Sequence, residues 1–276
     1  MTSAVRRMCL LLALLLTVAA LLAPPAAAAP LWAPADQATV TPGVQTYTDG
    51  AQCTANFIFS SGTDVFIGQA AHCSSLDGNT ETNGCIARSL PLGTAVEIDG
   101  ASRPGVMVYN SWLAMQAANE SNNTVCLNND FALIKIDPAD HAKVNPSVPH
   151  WGGPVALNTR GTDTLEDVYS YGNSSLRFGL TPTSPKKGYS LGSGEGGWTH
   201  PLYTVTPGIP GDSGSGFLDA DGNAFGVLST LSAAPFPASN NASDLASCLN
   251  YMRAHGGPSA VLEPGTEAFT PSLLPV

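Results

Sequence analysis

The sequence predicts an all-β protein, built as antiparallel sandwiches or barrels, with one helix near the C-terminus. Three observations carry that prediction. From residue 40 onward, short apolar segments alternate with clusters of turn residues, the pattern of strands joined by tight connections. Gly (28) and Pro (22) are abundant and only 12% of residues are charged, which suits a turn-rich β chain better than a helical one. A single late segment, residues 241–255, has helical period instead.

The elements follow in chain order. Arg6 and Arg7 precede an apolar run from Met8 to Ala23, then Pro24-Pro25 and an alanine tract. A charged start, an apolar middle and an A-x-A exit read as a secretory signal peptide over residues 1–28. The run of 16 residues is shorter than the roughly 20 that span a bilayer. Residues 29–42 form an N-terminal segment, and the sequence leaves open whether it is a removable pro-segment. Residues 56–59 and 65–68 flank the turn residues 60–64 and read as a hairpin. Further strand candidates are 95–98, 106–109, 131–136, 168–172, 203–206, 216–218 and 224–228, the last two joined by the turn 219–223. In 241–255, Leu245, Cys248, Leu249 and Met252 share one helix face. Asn241 or Ser243 can cap its start and Gly256 can stop it. Residues 257–276 are a Pro-rich tail without helical period, lying on the surface or disordered.

Charge narrows the partners. Losing residues 1–28 removes Arg6 and Arg7 and leaves 9 basic against 21 acidic side chains, a net charge of −12. Such an acidic chain is poorly matched to nucleic acid or an anionic membrane. Of six cysteines, Cys9 leaves with the leader. The remaining five, Cys53, Cys73, Cys85, Cys126 and Cys248, enter a compartment that permits disulfides, and the odd count leaves one thiol over.

Residues 208–216 read GIPGDSGSG. Gly, Pro, Asp and Ser are turn formers, so a plain turn is one reading. A catalytic serine on a tight loop is the other, because glycines let backbone N–H groups face a substrate oxygen. Two more stretches bear on the choice: Gly68-Gln69-Ala70-Ala71-His72-Cys73 after a strand, and Asp130-Phe131-Ala132-Leu133 leading into one. A serine hydroxyl needs a base to take its proton, and histidine suits that task near neutral pH. A buried carboxylate then fixes the imidazole tautomer and stabilises its cation. Each stretch alone is ordinary; the three in one chain are specific.

These stretches resemble the chymotrypsin-like (trypsin-superfamily) serine proteases in their bacterial secreted form. The T-A-A-H-C box appears as Gln69-Ala70-Ala71-His72-Cys73, the D-[IF]-A-L box as residues 130–133, and the G-D-S-G-G box as Gly211-Asp212-Ser213-Gly214-Ser215. The later G-[IV]-[VL]-S strand appears as Gly226-Val227-Leu228-Ser229, so the likeness spans residues 43–255. The resemblance implies two antiparallel six-stranded β-barrels, residues 43–150 with His and Asp and 151–256 with Ser, the pocket and the C-terminal helix. It implies that His72 is the general base, Asp130 its orienter and Ser213 the nucleophile. Gly211 and Ser213 N–H groups would form the oxyanion hole, and Ser229 would support Asp130 and line the substrate cleft. It also implies a Cys53–Cys73 disulfide, leaving Cys85–Cys126 as the second and Cys248 as a buried thiol. No metal or organic cofactor is implied. The expected partner is a protein or peptide substrate, met by a secreted monomer away from nucleic acid and membrane.

The chain departs from that pattern in three places. No I-V-G-G-like stretch exists to pair with Asp212, so Arg160 or Arg177 is expected to do so. Pro207 stands where Arg/Lys-specific members carry Asp, and Leu231 where deep-pocket members carry Gly; both predict a small or medium apolar residue before the scissile bond (P1). Ser215 replaces a common Gly. Asp77, Asn79 and Glu81 offer alternating oxygens of the kind Ca²⁺ takes, but a polar turn is the simpler reading. Two rival functions share the pattern: a catalytically silent binding protein on the same fold, and an esterase-like hydrolase.

Overall fold

The computed structural model describes residues 31–78, 81–232 and 239–272, so the leader and Asn79 lie outside the described residues. The first unit contains β1 (Gln45–Thr48), β2 (Ala51–Thr54), β3 (Ile58–Ser61), β4 (Asp64–Gln69), β5 (Ala95–Ile98) and β6 (Gly105–Asn110). Two short helices follow, α1 (Ser111–Ala117) and α2 (Asn123–Asn128), and then β7 (Ala132–Lys135). The second unit contains β8 (Thr164–Tyr171), β9 (Pro185–Leu191), β10 (Thr199–Thr204), β11 (Gly216–Leu218), β12 (Ala224–Ser232) and β13 (Ser239–Asp244). The helix α3 (Leu245–Ala254) and a last strand β14 (Val261–Leu262) complete the chain.

The second unit is a closed six-stranded barrel, ordered β10-β13-β12-β11-β8-β9. The first is a sheet of eight strands, ordered β14-β3-β4-β7-β6-β5-β1-β2. Seven of the eight are β1–β7, and the tail strand β14 is the eighth, added onto β3 with Val261 opposite Ser60 and Leu262 opposite Phe59. Ladders within both units are antiparallel. Ile58, Ile67, Val96, Met107 and Ile134 fill the first core, each fully buried and each contributing roughly 1.5–3 kcal/mol by leaving water.

The C-terminal helix starts later than its apolar face suggests. Asn241 and Ser243 belong to β13, and Asp244 is the cap, its carboxylate accepting the Ser247 N–H at 2.7 Å. Strands β1, β2, β9, β13 and β14 and helices α1 and α2 were not among the sequence candidates. Asn110 and Asn122 cap the two helices by accepting N–H groups of their first turns. Both disulfides form, Cys53–Cys73 and Cys85–Cys126, and Cys248 is a buried free thiol.

Both ends of the described chain are packed. Val40 is fully buried in the first core, and its N–H donates to Lys143 O at 3.1 Å. The tail straps the two units together. Glu263 N donates to Ile58 O, Thr270 N to Trp151 O, and Phe269 stacks edge-on against Tyr169 of β8 at 5.2 Å. Among the described residues no helix is long and apolar enough to cross a membrane.

Candidate active site

His72 sits in a 3-10 turn, Ala71–Ser74, at the end of β4. The turn is tied on one side by the Cys53–Cys73 disulfide and on the other by its own backbone, where His72 N donates to Asp130 Oδ1 at 2.9 Å. Asp130 lies just ahead of β7 and is 3% exposed. Its Oδ2 meets His72 Nδ1 at 2.7 Å and accepts the Ser229 hydroxyl at 2.6 Å. Ser229 stands on β12, so the second unit braces a carboxylate carried by the first.

Ser213 lies on the loop between β10 and β11. Gly211 and Gly214 take φ of +95° and +88°, conformations that side chains disfavour. A Cβ on Gly214 would meet Thr54 O at 2.7 Å and Ala70 N at 2.8 Å, so glycine lets the loop press against the first unit. Thr54 holds it there, its N–H donating to Ser213 O and its hydroxyl to Gly211 O, both at 2.8 Å. Asp212 N donates to Ile209 O and Gly214 N to Leu228 O. Between them, the N–H groups of Gly211 and Ser213 have no acceptor among the described residues. Two N–H groups without an acceptor beside one hydroxyl are available to a substrate oxygen.

His72, Asp130 and Ser213 line one cleft of about 260 Å³. Gly208, Pro210, Leu228, Thr230 and Asn240 also line it from the second unit, and Glu81, Thr82 and Trp112 from the first. Asn240 braces the second-unit lining, accepting from Gly208 N at 2.8 Å and donating to Thr230 O at 3.3 Å. The Ser213 hydroxyl and His72 Nε2 share the cleft without a hydrogen bond between them, and such contacts often tighten only when substrate binds.

The environment tunes both partners of the His–Asp pair. Burial pushes the Asp130 carboxyl up, but the His72 charge and hydrogen bonds from His72 and Ser229 outweigh it, leaving its pKa below the usual range. Burial pushes His72 down, and the Asp130 charge and hydrogen bond overcome that, leaving it above 6.5.

Several sequence expectations need correction. Arg160 is exposed and forms no ion pair with Asp212 among the described residues; Arg177 Nη2 makes that contact, at 2.6 Å. Pro207 lies outside the cleft lining, because its carbonyl is turned toward Arg177 and Lys186 behind the wall. Leu231 pairs with Asn240 through its backbone; its side chain is outside what is described. Asp77 is held by Arg88, Nε at 2.7 Å and Nη2 at 2.6 Å, which fits a polar turn. Lys186, Asn240 and Trp112 carry no signal in the sequence, since each acts through a partner distant along the chain.

No family model and no curated protein matches this chain. Solved structures do. Thermobifida fusca protease A superposes with a TM-score of 0.54 at 16% identity, covering 83% of this chain and 100% of its own. A glutamic acid specific serine protease that uses a histidine triad in substrate binding gives 0.50 at 17%, covering 81% and 100%. Nocardiopsis protease gives 0.50 at 17%, covering 81% and 98%. At such identities the likeness carries the architecture: the chain has the chymotrypsin-like fold of bacterial serine proteases.

Proposed function

We propose that the protein is an exported serine endopeptidase that works through His72, Asp130 and Ser213. The His72–Asp130 pair carries this reading: a 2.7 Å contact, braced by Ser229, beside a serine flanked by two free N–H groups. His72 Nε2 takes the Ser213 proton as Oγ attacks the substrate carbonyl carbon. The carbonyl oxygen becomes an oxyanion held by the Gly211 and Ser213 N–H groups. His72 then gives that proton to the leaving amine, and the acyl group stays on Ser213. Water, deprotonated by His72, releases the acid by the same steps in reverse.

The second-unit lining of the cleft, with Gly208, Leu228 and Asn240, favours a small or medium apolar P1 residue. Cleavage of a peptide library after Lys or Arg would overturn this preference.

Fluorophosphonate treatment followed by intact-mass and peptide spectrometry tests the reaction. One adduct on Ser213, absent in His72→Ala, is expected. A folded protein with both disulfides and no adduct would discard the peptidase in favour of a binding role.

A further inference from the structure

Lys186 is a wholly buried lysine on β9, with 0% of its side chain exposed. A buried ammonium is costly unless each of its protons finds an acceptor. Here all three do. Nζ lies 2.9 Å from Asp212 Oδ2, 3.2 Å from Thr206 O and 3.3 Å from Pro207 O. Asp212 directly precedes Ser213, and Thr206 and Pro207 lead into the cleft wall at Gly208. Lys186 thus grips both ends of the stretch from Thr206 to Asp212, and Arg177 Nη2 reaches the same two ends more sparsely, at Pro207 O (3.3 Å) and Asp212 Oδ2 (2.6 Å).

The rest of the cluster is arranged around it. Asp212 is fully buried and saturated: Oδ2 also meets Arg177 Nη2 at 2.6 Å and Ile209 N at 3.1 Å, and Oδ1 accepts Ser174 N at 3.0 Å. Gly172 makes the space. A Cβ there would lie 2.5 Å from Asp212 Oδ1 and 2.6 Å from Lys186 Cε. The two cations differ in footing. Lys186 rises from the barrel wall, whereas Arg177 sits on a short surface turn between exposed Leu176 and Phe178.

The geometry points to Lys186 as the positioning residue that keeps the Ser213 loop in its oxyanion-binding shape, with Arg177 as an outer strap. This rests on the peptidase reading. Asp212 therefore takes all its partners from side chains and backbone inside the fold. Burial, joined by Arg177, outweighs Asp212 and draws the lysine below its ordinary value, so its charge depends on the acceptors around it.

Two readouts test it, on purified protein. The first is the rate of fluorophosphonate labelling at Ser213. The second is amide hydrogen exchange over residues 206–214, which needs no activity. Lys186→Met should slow labelling of the folded protein by about a hundredfold, the scale of losing one oxyanion donor. Loop exchange should accelerate by a similar factor, with β4 and β7 unchanged. Arg177→Gln should change both by less than Lys186→Met does, because Lys186 still neutralises Asp212 in that variant. A purely structural lysine would lower Tm yet leave both readouts of the folded fraction unchanged, and that result would overturn the inference. Should Lys186→Met fail to fold, Gly172→Ala crowds the Lys186 stem and Asp212 Oδ1 together while keeping both charges. Unchanged exchange in that variant would overturn the inference too. If the unmodified protein is not labelled at all, the peptidase reading falls, while loop exchange still decides the role of Lys186.

Discussion

On the His72 side of the cleft, apolar packing and a covalent bond hold the reacting groups; on the Ser213 side, buried ions and amides do. His72 hangs between the Cys53–Cys73 bridge and a sheet whose core is Ile, Val, Met and Ala. The second barrel has a smaller apolar core of Val168, Leu202, Phe217, Phe225, Leu228 and Ala242. Around it are buried Lys186, Asp212, Asn240 and His200, the last paired with Asp244 at 3.0 Å. The difference follows from what each side presents. A histidine on a turn can be fixed through its neighbours' side chains. A loop of glycines has no side chains to pack, so its backbone must be held by directional polar bonds.

Asp130 is where the two means of support meet, and its replacement should have the largest effect. Asp130→Asn should lower kcat/KM by roughly a thousandfold or more, because the imidazole loses both tautomer control and its counter-charge. The pH dependence carries the sign. Asp130 holds His72 above its ordinary value, so the acid limb of kcat/KM should lie above 6.5 in the native protein. Burial remains in the variant without the carboxylate, so the limb should move down. The raised histidine stabilises the fold below its unfolded pKa, and that contribution is lost as pH rises through the folded value. The lowered carboxylate stabilises above its unfolded pKa, and that contribution is lost as pH falls through the folded one. The stability lost in Asp130→Asn should therefore peak between about pH 4 and pH 6.5. An acid limb that stays in place would sever Asp130 from the histidine's titration.

The covalent tie comes next. Removing Cys53–Cys73 as a double alanine variant should cost about 3 kcal/mol in urea unfolding, for a bridge spanning 20 residues. Thr54, next to Cys53, holds Gly211 and Ser213, so hydrogen exchange over residues 206–214 should also quicken, but by less than in Lys186→Met. Unaltered exchange there would mean that the two sides are separately supported.

The same contrast governs what the sequence reveals. The histidine, aspartate and serine stretches are local in the chain, and each keeps its composition around one reacting group. Strands with apolar residues facing inward were legible, as in β3, β4 and β7. Strand β9 was not, because its buried positions are Pro185, Lys186, Gly188 and Ser190 while Tyr189 faces out. Strand β13 hides likewise behind Ser239, Asn240 and Ser243. These polar strands are the ones that hold the Ser213 loop and the pocket wall. Their partners lie on other strands, so pairings such as Lys186 with Asp212 leave no local pattern. The tail was illegible for a related reason: two residues of β14 carry too little period to announce a strand.

Ser215 offers the smallest and most discriminating check, because it is a polar group on the same loop without a partner. It is fully buried, and its hydroxyl finds no hydrogen bond among the described residues. Its backbone is engaged on both sides, Ser215 N donating to Asp212 O and Leu228 N to Ser215 O. Its φ is not positive, so alanine fits the backbone without strain. A buried hydroxyl left unpaired costs about 1–3 kcal/mol, and alanine removes it while filling nearly the same space. Ser215→Ala should therefore raise stability by about 1 kcal/mol and leave the labelling rate of Ser213 unchanged. A loss of stability would mean that the hydroxyl has a hydrogen-bond partner, and slower labelling would make it part of the reacting loop. A gain would show that the loop depends on particular bonds, those made by Lys186, Asp212 and Thr54, and not on polarity as such.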